Sequence, residues 1–242
     1  NWKANGAGSA NTAGSINSTV SANTTAGMSI VKYQGTGANA TVGHGLGAVP
    51  KMILFKSLTN AISWIVYSSE LNISSSNCLR LNGTNAAFTE SAWNGTRPTT
   101  SVFSLGIHNE ANNSSGETIA YCFADVQGYS KFGSYTGNGN ADGTFVYTGF
   151  KPAFVIYKRS SGTGDWVMAT NSILGYNQVD TQILANTSSP ETTNTAQSCD
   201  ILSNGFKLRG TQSNSNASGS TYIYMAFGQS IVGTNNVPAN AR

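Results

Sequence analysis

Charge is scarce in this chain. Only 10% of its 242 residues are Asp, Glu, Lys or Arg, against about a quarter in an average soluble protein. Few ion pairs can form, so stability has to come from burial, sheet hydrogen bonds or subunit contacts. The 13 Lys and Arg leave a net charge of +3, and Lys51, Lys56, Arg80, Arg97, Lys131, Lys151 and Lys158 form no run. That argues against nucleic-acid binding through a basic patch. No stretch approaches the roughly 20 apolar residues that cross a bilayer as a helix, so membrane insertion is not expected. The cysteines, Cys78, Cys122 and Cys199, are odd in number and far apart; they make neither a disulfide framework nor a metal motif. Cys122, inside the apolar run Ile119 to Phe123, reads as a small buried hydrophobe. Helical periodicity is also missing: no apolar repeat near 3.6 residues lasts three turns.

Catalytic constellations are equally sparse. The chain has ten acids, and nothing pairs two of them across a sugar as a glycosidase requires, although sequence leaves such convergence open. Asp165 aligns with Ser63 in the internal repeat described below, which marks it as a loop acid rather than half of a duplicated active site. His44 and His108 are the only histidines. Without a nearby carboxylate cluster they do not suggest a metal. His44, set among glycines, reads as an exposed loop residue. No Gly-x-Ser-x-Gly elbow and no Cys/His pair is present. The expectation is a protein that is not an enzyme, with no catalytic residues, cofactor or metal. The chain opens on Asn1 without Met or a signal-like segment, as expected of a fragment or a processed product. Asn-x-Ser/Thr triplets, as at Asn17, Asn39, Asn72, Asn82 and Asn94, arise from composition alone and do not argue for glycosylation.

What is present is repetition. Tyr33-Gln34-Gly35-Thr36-Gly37 returns as Tyr135-Thr136-Gly137-Asn138-Gly139. The run Gly47 to Lys56, with Pro50 and Met52-Ile53-Leu54-Phe55, returns as Gly149 to Lys158, with Pro152 and Phe154-Val155-Ile156-Tyr157; Trp64 returns as Trp166. These pairs stand 102 positions apart (135 minus 33, 152 minus 50, 166 minus 64). Ile119 to Phe123 then matches Ile223 to Phe227 at 104 (223 minus 119). A fixed register with a small drift is a duplicated unit with indels, and the unit has the size of one domain. The division expected is a connector over 1–27, a first repeat over 28–128, a second over 129–230 and a tail over 231–242, with a possible strand near 17–23.

Apolar residues are 39% and aromatics 10% of the chain, which excludes a disordered segment. Short runs rich in Val, Ile, Phe, Tyr and Trp alternate with Gly-rich turns. The expected strands are 28–34, 52–55, 64–67, 78–81, 102–105 and 118–124, then 145–147, 154–157, 166–169, 182–185, 206–209 and 222–227. The fold class is therefore all-β, with two tandem antiparallel β-sandwich domains related by internal duplication, of jelly-roll or other Greek-key type. The Gly35/Gly37 and Gly137/Gly139 pairs are turn glycines that permit positive φ, because no helix follows to make a phosphate loop. Trp64 and Trp166 are expected in the core.

A surface of Asn, Ser, Thr and Gly with occasional Trp and Tyr suits carbohydrate, since amides and hydroxyls bond sugar hydroxyls and aromatic faces stack on the C–H face of a pyranose. Recognition is expected where the copies diverge, between about 68–100 and 170–198. That selects Arg80, Trp93, Asn94 and Arg97 in the first copy and Tyr176, Asn177 and Asp180 in the second. Trp93 equally fits packing beneath its own loop.

Tyr121-Cys122-Phe123-Ala124-Asp125-Val126-Gln127-Gly128-Tyr129-Ser130-Lys131-Phe132-Gly133, continuing to Gly139, resembles a block found in structural proteins of marine tailed phages. The segments 149–158, 202–208 and 221–227 resemble further blocks of that module, and the similarity covers most of 20–230. The resemblance implies a tail-fibre-like or other virion-surface protein, assembled in the host cytoplasm and exposed on the extracellular particle. It also implies other virion subunits as partners, a homo-oligomer (a homotrimer in fibres of this kind), and attachment to host cell-surface glycan or protein. A capsid decoration or fibre-shaft protein, and a polysaccharide depolymerase, are the alternatives.

Overall fold

The computed structural model describes residues 4–174 and 177–228. Its regular structure is nearly all β, and the chain divides between Asp125 and Val126 into two compact units, each with its own apolar core.

In the first unit the strands are β1 (Ser9–Asn11), β2 (Ser18–Asn23), β3 (Met28–Gln34), β4 (Ala40–Gly43), β5 (Met52–Ser57), β6 (Ile65–Ser68), β7 (Asn77–Arg80), β8 (Phe88–Thr89), β9 (Val102–Leu105) and β10 (Glu117–Phe123). One large antiparallel sheet runs β1-β2-β3-β10-β5-β6-β7-β8, and β4 pairs with β9 in a small second sheet. The second unit contains β11 (Ser130–Thr136), β12 (Phe145–Tyr147), β13 (Pro152–Arg159), β14 (Trp166–Thr170), β15 (Thr181–Leu184), β16 (Thr192–Thr193), β17 (Cys199–Leu202), β18 (Gly205–Leu208) and β19 (Thr221–Gly228). Its large sheet runs β11-β19-β13-β14-β15-β16 and its small one β12-β18-β17. The first-unit order from β3 to β8 is thus repeated strand for strand from β11 to β16.

Alternation explains which side chains enter each core. Val31 and Tyr33 of β3, Ile53 and Phe55 of β5, and Ala120 and Cys122 of β10 project from the large sheet toward Val42, Phe103 and Leu105 of the small one. Phe103 meets Tyr33 and Phe55 edge-on, at centroid distances of 5.9 and 5.3 Å. In the second unit Tyr135, Val155, Tyr157, Tyr222, Tyr224 and Ala226 oppose Val146, Ile201, Phe206 and Leu208. Phe206 packs edge-on against Tyr135 and Tyr224. Burying a side chain of this size contributes about 1.5–3 kcal/mol.

A buried amide ties the first turn of each unit to the chain that precedes the last strand. Asn112 ends the single-turn helix α1 (Asn109–Asn112). Its Nδ2 donates to the carbonyls of Ala38 and Gly106, both at 2.7 Å, and its Oδ1 accepts from the Thr36 N–H at 2.8 Å. Asn216 does the same in the second unit: Nδ2 donates to Asn140 O and Gly210 O at 2.9 Å, and Oδ1 accepts from Asn138 N–H at 3.0 Å. Tyr33 and Tyr135 donate their hydroxyls to the carbonyls of Ala111 and Ser215, each one residue before the asparagine. The turn glycines fit this arrangement in two ways. Gly37 and Gly139 have φ of +69° and +66°. Gly35 and Gly137 instead permit close approach, since a Cβ there would lie 2.3 and 2.4 Å from the carbonyl oxygens of Asn113 and Ala217.

Several expectations change. Residues 1–27 are not merely a connector: β2, the strand expected near 17–23, pairs with β3, and β1 pairs with β2, so both extend the large sheet. Ile16 also bridges Val42, its N–H donating to Thr41 O at 3.0 Å, so this segment covers the free edge of β4. The tail over 231–242 lies outside the described residues. Short helical turns occur at α1, at α2 (Asn171–Leu174) and as a 3-10 turn at Thr195–Gln197; one turn leaves no periodicity to detect. Trp166 is a buried core side chain as expected, at 1% exposure, whereas Trp64 is not. Trp166 is buried on the sheet face opposite Val167 and Ala169. Trp64, just ahead of β6, is half-buried and stacks on Tyr121 at 6.1 Å. His44 is fully buried rather than exposed. Its Nδ1 accepts from the Leu46 N–H at 3.2 Å and its Nε2 faces Thr99 O at 3.1 Å. Two such bonds suit the neutral ring protonated on Nε2, and burial lowers its pKa.

The far end of each large sheet tapers. β8 and β16 are two residues long and lie outermost beside four-residue β7 and β15.

Candidate functional site

The sequence-selected residues separate once the chain is folded. Trp93 is 2% exposed. It packs against Phe55 and Tyr67, with centroids at 5.2 and 5.7 Å, and its Nε1–H donates to Asn77 O at 3.1 Å. It is a core residue beneath its loop and has no free face for a ligand. Arg80 is committed as well: its Nε donates to both oxygens of Glu110, at 2.9 and 3.0 Å, and its guanidinium lies 4.4 Å over the Phe88 ring. Arg97 is exposed and donates from Nη1 to Ser69 O at 2.7 Å, tying its loop to the turn after β6.

In the second unit, Asn177 exchanges hydrogen bonds with the backbone of Ile201, donating to its O at 2.9 Å and accepting from its N at 2.8 Å. That fixes the loop before β15. Asp180 is half-buried, and its carbonyl accepts from the Asn194 N–H. Tyr176 lies outside the described residues.

Of the selected residues, Asn94 lines an open depression. This hollow of about 340 Å³ in the first unit is formed by Asn39, Ser76, Ser91, Asn94, Gly95, Gly106 and Ile107. Asn94 adopts φ +49°, a left-handed conformation that asparagine tolerates better than most residues. Its Oδ1 accepts from Asn39 Nδ2 at 3.0 Å, which leaves the Asn94 amide nitrogen for another acceptor. Ser76, also at φ +49°, accepts the Gly95 N–H on its Oγ at 3.2 Å and so shapes the wall. Gly106 forms the floor: a Cβ there would lie 2.0 Å from Ser91 O. Exposed Ile107 supplies the apolar rim. The lining has no ionisable side chain and offers directional amides and hydroxyls, a surface suited to neutral, hydroxyl-rich ligands. Sequence spacing could not assemble it, because Asn39, Ser76, Asn94 and Gly106 come from four separate connections.

A second hollow of the same volume lies along β1 to β3 and includes Lys32 and Glu117, which form an ion pair at 2.7 Å. Several acids have structural partners. Glu110 holds Arg80; Asp142 meets Lys207 at 2.9 Å and Arg209 at 3.4 Å; Asp200 meets Arg209 at 2.6 Å. Asp165 accepts from Asn186 and Asn214 side-chain amides at 2.8 and 2.9 Å, bracing two loops. Among the described residues no group of three or more His, Cys, Asp or Glu could hold a metal ion.

One feature of the second unit escaped selection. Phe145 and Tyr147 are 44% and 65% exposed, and they are the only aromatics among the exposed large hydrophobic residues described. The sequence signal is the alternation of Phe145-Val146-Tyr147 around buried Val146, which ordinary sheet composition also produces.

Neither a curated protein nor a solved structure matches the chain. A family match spans residues 1–230, which is nearly its whole length, and the chain therefore belongs to the family described as a domain of unknown function (DUF7483).

Proposed function

We propose that this chain is a non-catalytic attachment module of a phage virion surface, of tail-fibre type, which binds host surface glycan or protein. The observation that carries the reading is the Asn39–Asn94 hollow. It is neutral, lined by amides and hydroxyls and walled by left-handed residues that the Asn39–Asn94 and Ser76–Gly95 hydrogen bonds hold. Such a lining recognises hydroxyl groups by directed hydrogen bonds and does not repel them by uncompensated charge. The resemblance to marine tailed-phage proteins supports the setting, and with it a homotrimeric fibre alongside other virion subunits.

Adsorption of the purified, fluorescently labelled chain to host cells tests the proposal. The expected result is saturable binding that soluble host surface material displaces and that Asn39→Ala with Asn94→Ala weakens. Lack of adsorption, together with full infectivity of particles lacking the module, overturns it in favour of a decoration or shaft role. New reducing ends after incubation with host capsule would replace it with a depolymerase.

A further inference from the structure

We propose that the outward face of the small sheet in the second unit is a stacking platform for a neutral pyranoside. This inference rests on the attachment reading above and adds a second, aromatic subsite to it. Phe145 and Tyr147 alternate with buried Val146, so both project from the same side of β12, about 6.6 Å apart along the strand. That separation is one a disaccharide can span. Antiparallel register sets Lys207 directly opposite Phe145, and Gly205 opposite Tyr147. A Cβ on Gly205 would lie 3.2 Å from Phe145 Cε2, so the glycine leaves room for the phenyl ring to lie along the sheet. Tyr147 lies beside Gly149, whose φ of +85° favours glycine and whose Cβ position stands in ordinary contact, 3.6 Å, with the Tyr147 hydroxyl.

The polar half of the platform continues across the sheet. Asp200 of β17 is in register with Lys207, so Phe145, Lys207 and Asp200 form one row over three strands. Asp142 bonds Lys207 and Arg209, and Arg209 bonds Asp200. Two acids and two bases sum to no net charge. The row therefore holds its side chains in place by mutual pairing and offers paired donors and acceptors to vicinal hydroxyls. A polyanion finds no uncompensated positive charge there, which selects a neutral sugar.

The first unit has no such platform. At the corresponding strand β4 the outward positions are Thr41 and Gly43, and a side chain on Gly43 would collide with Asn11, whose Oδ1 lies 2.0 Å from the Cβ position. Residues 15–18 bond along that edge. Among the described residues β12 is outermost in its sheet and carries no such cover.

Affinity electrophoresis of the full chain through gels containing neutral polysaccharides (mannan, β-glucan or galactan), with alginate as the anionic control, tests this. Retardation is expected in at least one neutral gel. Phe145→Ser with Tyr147→Ser should weaken it by about tenfold or more, the scale of losing one aromatic anchor, while the circular dichroism spectrum and melting temperature stay unchanged. Tyr147→Phe should retain most of it. Equal retardation of the double variant, retardation by alginate alone, or none in any neutral gel overturns the platform. So does a change in sedimentation of the double variant without a change in gel mobility, which would make this face a protein contact. Neutral-gel binding that persists in a chain unable to adsorb to host cells would leave the platform standing and remove the attachment reading; the reverse pattern would do the opposite.

Discussion

Replacing Asn112 with alanine deletes one amide and strands three backbone groups. The Gly106 carbonyl, in a fully buried residue, stays dry and loses its donor; Thr36 and Ala38 belong to exposed residues, so water can replace the amide at their N–H and carbonyl. A buried orphan costs about 1–3 kcal/mol, and each exchanged bond about 0.5–1.5 kcal/mol. The expected loss is about 3 kcal/mol, or roughly 10 °C in the melting temperature of a unit this size. Asn112→Asp should be worse at neutral pH, since its carboxylate would face the Ala38 and Gly106 carbonyl oxygens. Scanning calorimetry of the full chain should show the transition of the first unit moving down. Asn216→Ala should lower that of the second by a similar amount or more, because its amide bonds the three corresponding backbone groups and also the Asn138 side chain. A loss below about 1 kcal/mol for Asn112→Ala would refute the account of this amide as the tie between turn and helix.

Three further outcomes are expected. Trp93→Ala should cost about 3–5 kcal/mol in urea unfolding; near-wild-type stability with lost ligand binding would instead return Trp93 to the surface. Burial pushes the thiols of Cys78, Cys122 and Cys199 up to about 12, so at pH 8 a thiol reagent should label them only through unfolding, and fast labelling of any one contradicts this. Burial also holds the pKa of His44 below its ordinary value; the unfolded chain then takes up a proton first as pH falls below about 6.5. This contribution to stability is complete above that pH and is lost toward the folded pKa. The urea midpoint should drop between pH 7 and 5.5, and His44→Asn should flatten the drop; a midpoint that rises on acidification would reverse the sign.

The all-β class was legible because strand residues announce themselves by type. Met52 to Phe55 and Phe154 to Tyr157 are continuous apolar runs, and both became inner strands of their sheets. The strands that escaped notice are polar or short. β11 has only Phe132 and Tyr135 as large apolar residues, β4 only Val42, and β1 none, so their pairing depends on neighbours that lie far away in sequence. Residues that repeat in the sequence share hydrogen bonds in the structure, as the Tyr33 and Tyr135 hydroxyls illustrate. Repetition is a weaker guide to burial: Trp64 and Trp166 both donate their backbone N–H to an asparagine Oδ1, of Asn82 and Asn186, yet Trp166 begins its strand while Trp64 precedes one. The binding candidates were the least legible. Residue type marks Trp93 and Arg97 as anchors, but an aromatic serves the interior equally well and a guanidinium can tie down its own loop, and only coordinates distinguish the uses.

The narrowing of both large sheets to two-residue β8 and β16 bears on how such a chain survives synthesis. Two neighbouring units with one strand order invite strands to dock onto the wrong half, and every full-length border would be a template for that error. A border that ends in a stub presents too few backbone groups to hold an intruding strand. At that side of each half, mispairing and stacking into fibrils are discouraged by geometry, without the lysines and glutamates that most proteins place there and that this chain largely does without.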